Sequence, residues 1–89
     1  MTTDFLAECK KGLNIPVTTT DFDGTLNQKL LAVKSYMSGA GVSDTMMEDA
    51  LAVAVVVLGV TDLWNIKSGE VEFSPAFGML VEQLAVRSL

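Results

Sequence analysis

Hydrophobic and polar positions along the chain fall into four patterned stretches separated by turn-forming residues. The strongest is Ala50–Val60, ALAVAVVVLGV, eleven residues without a charged or polar side chain. The apolar pattern runs from Met46 to Trp64, far longer than a strand of about 4–8 residues, so length selects a helix over a buried strand. The predicted element is one long helix over about residues 44–65. Thr45-Met46-Met47-Glu48 reads as its capping box, with Glu48 and Asp49 favourable in a first turn. Gly59 costs about 1 kcal/mol in a helix interior, a cost expected where another helix approaches closely. A helix apolar on every side needs cover over its whole circumference.

The other three stretches are apolar on one side only. The first spans Thr3 to Lys11, with Thr3 as cap, Asp4 in the first turn and Phe5, Leu6, Cys9 and Leu13 at helical spacing. Gly12 is its expected stop. Residues 14–23 read as a connector, in which Pro16 biases Ile15 towards an extended conformation. The second helix runs from Asp23 or Gly24 to Ser38. Its stripe is Leu26, Leu30, Val33 and Met37, and Gly39-Ala40-Gly41 ends it. Residues 66–73, IKSGEVEF, carry the turn signal Ser68-Gly69 followed by alternation, so a short hairpin or extended loop is expected. Ser74-Pro75 opens the last helix as N-cap and N1, with Phe73 stapled against its first turn and Phe77, Leu80, Val81 and Leu84 on its apolar face. The expected fold is all-α: one domain over residues 1–89, a small bundle of four helices around the apolar central one. Three single stripes cover only part of that helix, and the remainder is expected to meet a neighbouring subunit.

Composition strengthens the expectation of association. In 89 residues the hydrophobic share is 49% and the mean hydropathy is +0.40. A domain this small has much surface for its volume, so the excess points to apolar patches hidden against partners. The net charge is −5. Lys10, Lys11, Lys29 and Lys34 cancel the acids of residues 1–42, and the whole acidic excess lies in residues 43–89. Neither half has the basic footprint of a nucleic-acid binder. The apolar run is shorter than a membrane span of about 20 residues, and no membrane association is expected. MTTDFLAECKKG lacks the charged and apolar regions of a signal peptide, and one cysteine fits a reducing, cytosolic setting. With no histidine, a Cys/His zinc site is excluded, and no metal or other cofactor is expected.

Two local features carry chemistry at first sight. Asp21-Phe22-Asp23-Gly24-Thr25-Leu26 resembles the first motif of haloacid-dehalogenase-type phosphatases, in which the first Asp is the nucleophile and the second the general acid. That motif follows an apolar parallel strand in an α/β fold. Val17-Thr18-Thr19-Thr20 after Pro16 is a poor strand, and no second strand–helix unit follows. The simpler reading is a polar loop in which Asp21 or Asp23 caps the second helix. Cys9 lies on an apolar face without a histidine to activate it and reads as core. Met37, Met46, Met47 and Met79 read as core filler. No catalytic residues are expected, and the chain reads as a non-enzyme. Trp64 and Phe73, which flank the loop after the central helix, either close the core at that end or anchor a partner, since aromatics dominate interface energetics; with Ile66 and Val71 they are the candidate interface with a partner or subunit.

The order of elements resembles the small helical head–tail connector (head-completion adaptor) proteins of long-tailed phages and prophages. The resemblance rests on LNQKLLAVKSYMSGAGV in the second helix, the apolar third helix, SGEVEFSP, and a Leu-rich ending, AFGMLVEQLAVRSL. Ser43-Asp44-Thr45 stands where that family often has a Pro before the third helix, and the loop before Ser74 is short. The resemblance implies a structural protein of the virion head–tail junction, assembled in the bacterial host cytoplasm. It implies a homo-oligomeric ring between a portal protein and a tail-side completion protein, with DNA passing through the channel without sequence-specific binding. The alternative is a generic helical protein–protein interaction module in a bacterial regulatory complex.

Overall fold

The computed structural model describes residues 4–65 and 73–89, and among them every regular element is helical. Four α-helices appear: α1 (Phe5–Gly12), α2 (Asp23–Gly39), α3 (Ala50–Trp64) and α4 (Pro75–Arg87), with one 3-10 turn at Met46–Glu48. The all-α bundle around an apolar central helix is thus the observed architecture. The hairpin or loop expected at residues 66–73 falls outside the described residues except for Phe73.

The helix ends show how the local sequence is used. Asp4 caps α1, its Oδ1 accepting from Ala7 N at 3.1 Å, where Thr3 was expected; Thr3 lies outside the described residues. Beyond α1, Asn14 takes the left-handed conformation with φ 60°. Ile15 N donates to Lys10 O at 2.8 Å and Asn14 N to Lys11 O at 3.2 Å, the pattern of a Schellman stop. Gly12, expected to be that stop, is instead the last residue of the helix. A Cβ there would lie 2.5 Å from Val57 Cγ1, so its missing side chain lets α1 close on α3. After α2 the stop falls within the expected Gly39-Ala40-Gly41: Gly41 has φ 106°, and Val42 N bonds to Met37 O at 3.0 Å. Val42 and Met37, the pair that such a stop brings together, are both buried.

The central helix is shorter than the expected residues 44–65. The reason is Asp49, which adopts an extended conformation (φ −66°, ψ 143°) and caps α3, its Oδ1 accepting from Leu51 N at 2.9 Å. An Asp so placed satisfies a free helix N–H itself, and this outcompetes continuation of the helix upstream. The capping box read at Thr45–Glu48 does not form. Ser43 Oγ accepts from Met46 N at 3.1 Å, and the 3-10 turn carries Met47 into the core. At the start of α4, Ser74 and Pro75 hold the positions expected of them: Ser74 Oγ accepts from Phe77 N at 3.3 Å.

α3 is the hub, contacting α1, α2, α4 and the 3-10 turn, while α1 also packs on α2. Its Ala52, Val55, Val56 and Val60 join Leu26, Val33 and Met37 of α2, Phe77, Val81 and Leu84 of α4, and Phe5 and Cys9 of α1 in one core. Gly59 sits where α2 and α4 both close on α3. An added Cβ would lie 2.5 Å from Phe77 Cε1 and 2.9 Å from Val33 Cγ1. The Cα envelope measures 38 × 36 × 17 Å, about two helix layers thick at interaxial spacings of about 8–10 Å. In so thin a slab each outer helix keeps a solvent face.

Candidate functional site

The residues expected to form an interface are Trp64, Ile66, Val71 and Phe73. Ile66 and Val71 lie outside the described residues. Trp64, half-buried at the end of α3, meets the Phe22 ring edge-on at 5.6 Å. Phe73, also half-buried, stacks on Phe77 at 4.3 Å and contacts Tyr36 at 5.2 Å. This is the staple expected of Phe73, carried by the rings. Phe22 precedes α2 and Tyr36 lies in its last turn, about 21 Å apart along the helix. Trp64 and Phe73 therefore serve separate aromatic clusters at the two ends of α2.

The end of α3 and the start of α4 are tied to each other. Asp62 Oδ2 accepts from Ser74 N at 3.0 Å and from Ser74 Oγ at 2.8 Å, fixing the start of α4 to the end of α3. At the opposite end of α4, Ser43 N donates to Ser88 Oγ at 3.1 Å and Arg87 lies 3.8 Å from Asp49.

The phosphatase-like stretch is organised differently from its resemblance. Residues 17–22 form turns, with Thr19 N bonded to Pro16 O at 2.9 Å, and no strand is present among the described residues. Asp21 is exposed. Neither Asp caps α2, whose N-cap is Phe22. Asp23 instead pairs with Lys10, whose Nζ lies 2.7 Å from Asp23 Oδ1 and also donates to Val17 O at 3.2 Å. The Lys10–Asp23 contact is a close ion pair rather than a well-angled hydrogen bond. It ties α1, the connector and α2 together. Cys9 is buried, and desolvation, with a smaller contribution from Glu8, pushes its thiol up to about 11. A thiol so held is a poor nucleophile at neutral pH. Among the described residues, no three His, Cys, Asp or Glu side chains gather closely enough to hold a metal ion. No helix among them is long and apolar enough to cross a membrane.

The uncovered apolar surface lies elsewhere than expected. On α3 only Ala50 and Ala54 are exposed, so the outer helices cover its large side chains more fully than their single stripes implied. Among the helical residues the most exposed large apolar side chains are on α2 and α4: Leu31 is 69% exposed, Met79 70% and Val86 67%; Val17 in the connector, Phe22 before α2 and Leu89 after α4 are exposed as well. Met79, read as core filler with the other methionines, faces outward, whereas Met37 and Met47 are buried. Leu31 lies off the α2 stripe and Val86 off that of α4, the signal by which both were legible. Leu31 borders a shallow depression that it lines with Asn27, Leu30 and Lys34, and Lys34 Nζ sits 4.3 Å above the Phe5 ring. Comparison with protein-family models, curated proteins and solved structures finds no match.

Proposed function

We propose that the chain is a structural subunit of an oligomeric adaptor ring at a phage or prophage head–tail junction, joining the portal protein to the tail and leaving a channel for DNA. The observation that carries this reading is the pair of outward apolar faces on a thin helical slab: Leu31 on α2, and Met79 and Val86 on α4. Large apolar side chains this exposed on so small a domain gain most from burial against neighbours. The order of helices and its resemblance to head-completion adaptors supply the place of assembly. An acidic excess without a basic patch suits a channel wall that DNA slides past.

Light scattering over a concentration series, with and without the portal protein of the same phage, tests the proposal. The expected result is a multi-subunit species that forms alone or on the portal. A strict monomer in both conditions overturns it in favour of an interaction module in a bacterial regulatory complex.

A further inference from the structure

Two helix faces remain without a partner among the described residues, and their residues match in spacing and charge. On α4, Pro75, Met79, Glu82 and Val86 are all exposed and recur at intervals of four, three and four, forming one ridge. On α2, Asn27, Leu31, Lys34 and Ser38 recur at the same intervals and include three residues that line the depression. Each face has a large exposed apolar residue next to one charge. The charges are opposite: Glu82 on α4 and Lys34 on α2. Neither makes an ion pair among the described residues; Lys34 rests on the Phe5 ring, which leaves its charge unneutralised.

The α4 ridge of the same copy cannot reach the α2 face. Tyr36 lies two residues after Lys34, about 200° round the helix, and packs on Phe73 and Phe77 at the start of α4. Lys34 points to the other flank, over Phe5 of α1. The α2 face is therefore turned away from its own α4 and open to another chain.

We infer that copies of this chain associate head to tail, the α4 ridge of one seating on the α2 face of the next with Glu82 against Lys34. Aligning those two charges sets Leu31 against Met79 if the helices run parallel, or against Val86 if they run antiparallel. In either direction Leu31 is covered by one apolar residue of the α4 ridge, and the other falls opposite Ser38. Two different faces in contact make a heterologous interface, which closes into a ring when the rotation between copies allows. This inference rests on the ring reading above and names the surfaces that build the ring.

The test combines charge exchange with cross-linking in the full chain. Lys34→Glu and Glu82→Lys are each expected to weaken self-association at least tenfold. The two substitutions together in one chain, or the two single variants mixed, are expected to restore it. Circular dichroism melts of each variant confirm that the fold survives, since neither position is in the core. Separately, Leu31→Cys chains are mixed under mild oxidation with Met79→Cys chains, and in a second mixture with Val86→Cys chains; buried Cys9 does not compete. Disulfide-linked pairs in one of these mixtures, absent from each variant alone, support the inference. Assembly that is indifferent to both charge changes, or Leu31→Cys chains that link mainly to one another, overturns this interface and leaves the ring reading standing. A wild-type chain that is monomeric at every concentration and with the portal overturns both.

Discussion

Asp62 and Ser74 are joined by two hydrogen bonds to a single carboxylate oxygen, across a segment that begins just after α3 and ends just before α4. The same Ser74 hydroxyl accepts from Phe77 N, so the carboxylate orients the residue that caps α4. Hydrogen bonds to a charged acceptor contribute about 1.5–3 kcal/mol, and a Ser cap about 1 kcal/mol. Asp62→Ala is expected to lower unfolding stability by about 2 kcal/mol and Ser74→Ala by a similar amount. The double variant should fall well short of the sum, because both remove the same contact. Denaturant unfolding of the four proteins measures this, and strict additivity would refute the coupling.

Two glycines on helices should respond in opposite directions to the same substitution. Gly59→Ala improves helix propensity but drives a methyl into Phe77 and Val33, so a net loss of about 1–3 kcal/mol is expected. Gly78, inside α4, has nothing among the described residues within 4 Å of an added Cβ, and Gly78→Ala should gain up to about 1 kcal/mol. Thermal melts of the two variants decide; a stabilised Gly59→Ala protein would show that the three helices do not meet as described.

The Lys10–Asp23 pair should be asymmetric. Lys10 has a side chain only 5% exposed, while that of Asp23 is 30% exposed and lies in the first turn of α2. Asp23→Asn removes the counter-charge of a buried ammonium and leaves it only neutral oxygens as acceptors, at a cost of about 2–3 kcal/mol. Lys10→Met leaves a carboxylate whose Oδ1 is buried but which is 30% exposed as a whole and lies in the first turn of α2, where the helix dipole stabilises it, so its cost should be the smaller. Urea midpoints of the two variants test the order, and a more damaging Lys10→Met would contradict it.

Cys9 gives a pH dependence of defined sign. Its folded thiol is raised from 9.0 to about 11. Between those values the unfolded chain has released the proton and the folded chain keeps it, so the unfolded state binds fewer protons. The contribution is therefore full below about pH 9 and is lost as pH rises through 11. Between neutral pH and pH 10.5 the wild type should lose more stability than Cys9→Ala, and native Cys9 should resist alkylation until the chain is unfolded. Parallel losses in the two proteins would remove Cys9 as the cause.

Much of the core was legible before any coordinates. Leu26, Val33 and Met37, and Phe77, Val81 and Leu84, repeat with the helical period, and all six are buried. Ser74-Pro75 and Gly39-Ala40-Gly41 marked their boundaries because caps and stops depend on a few adjacent residues. The aromatic candidates were only partly legible. Trp64 and Phe73 are both half-buried, but they belong to separate clusters, a separation set by where Phe22 and Tyr36 lie on another helix.

The sequence by itself determined four helices, their order and the inward face of the three outer ones, because helical periodicity is written within about one turn of chain. Tertiary structure decided the use of Gly12 for close approach to Val57 and the partners of Lys10 and Asp62. It also decided that the most exposed large apolar side chains of the helices lie on α2 and α4, while those of α3 are buried or half-buried. These outcomes depend on how helices cross, and a crossing joins residues whose separation along the chain carries no period. The chemistry at Asp23 and the outward position of Met79 therefore emerge only once the helices are packed.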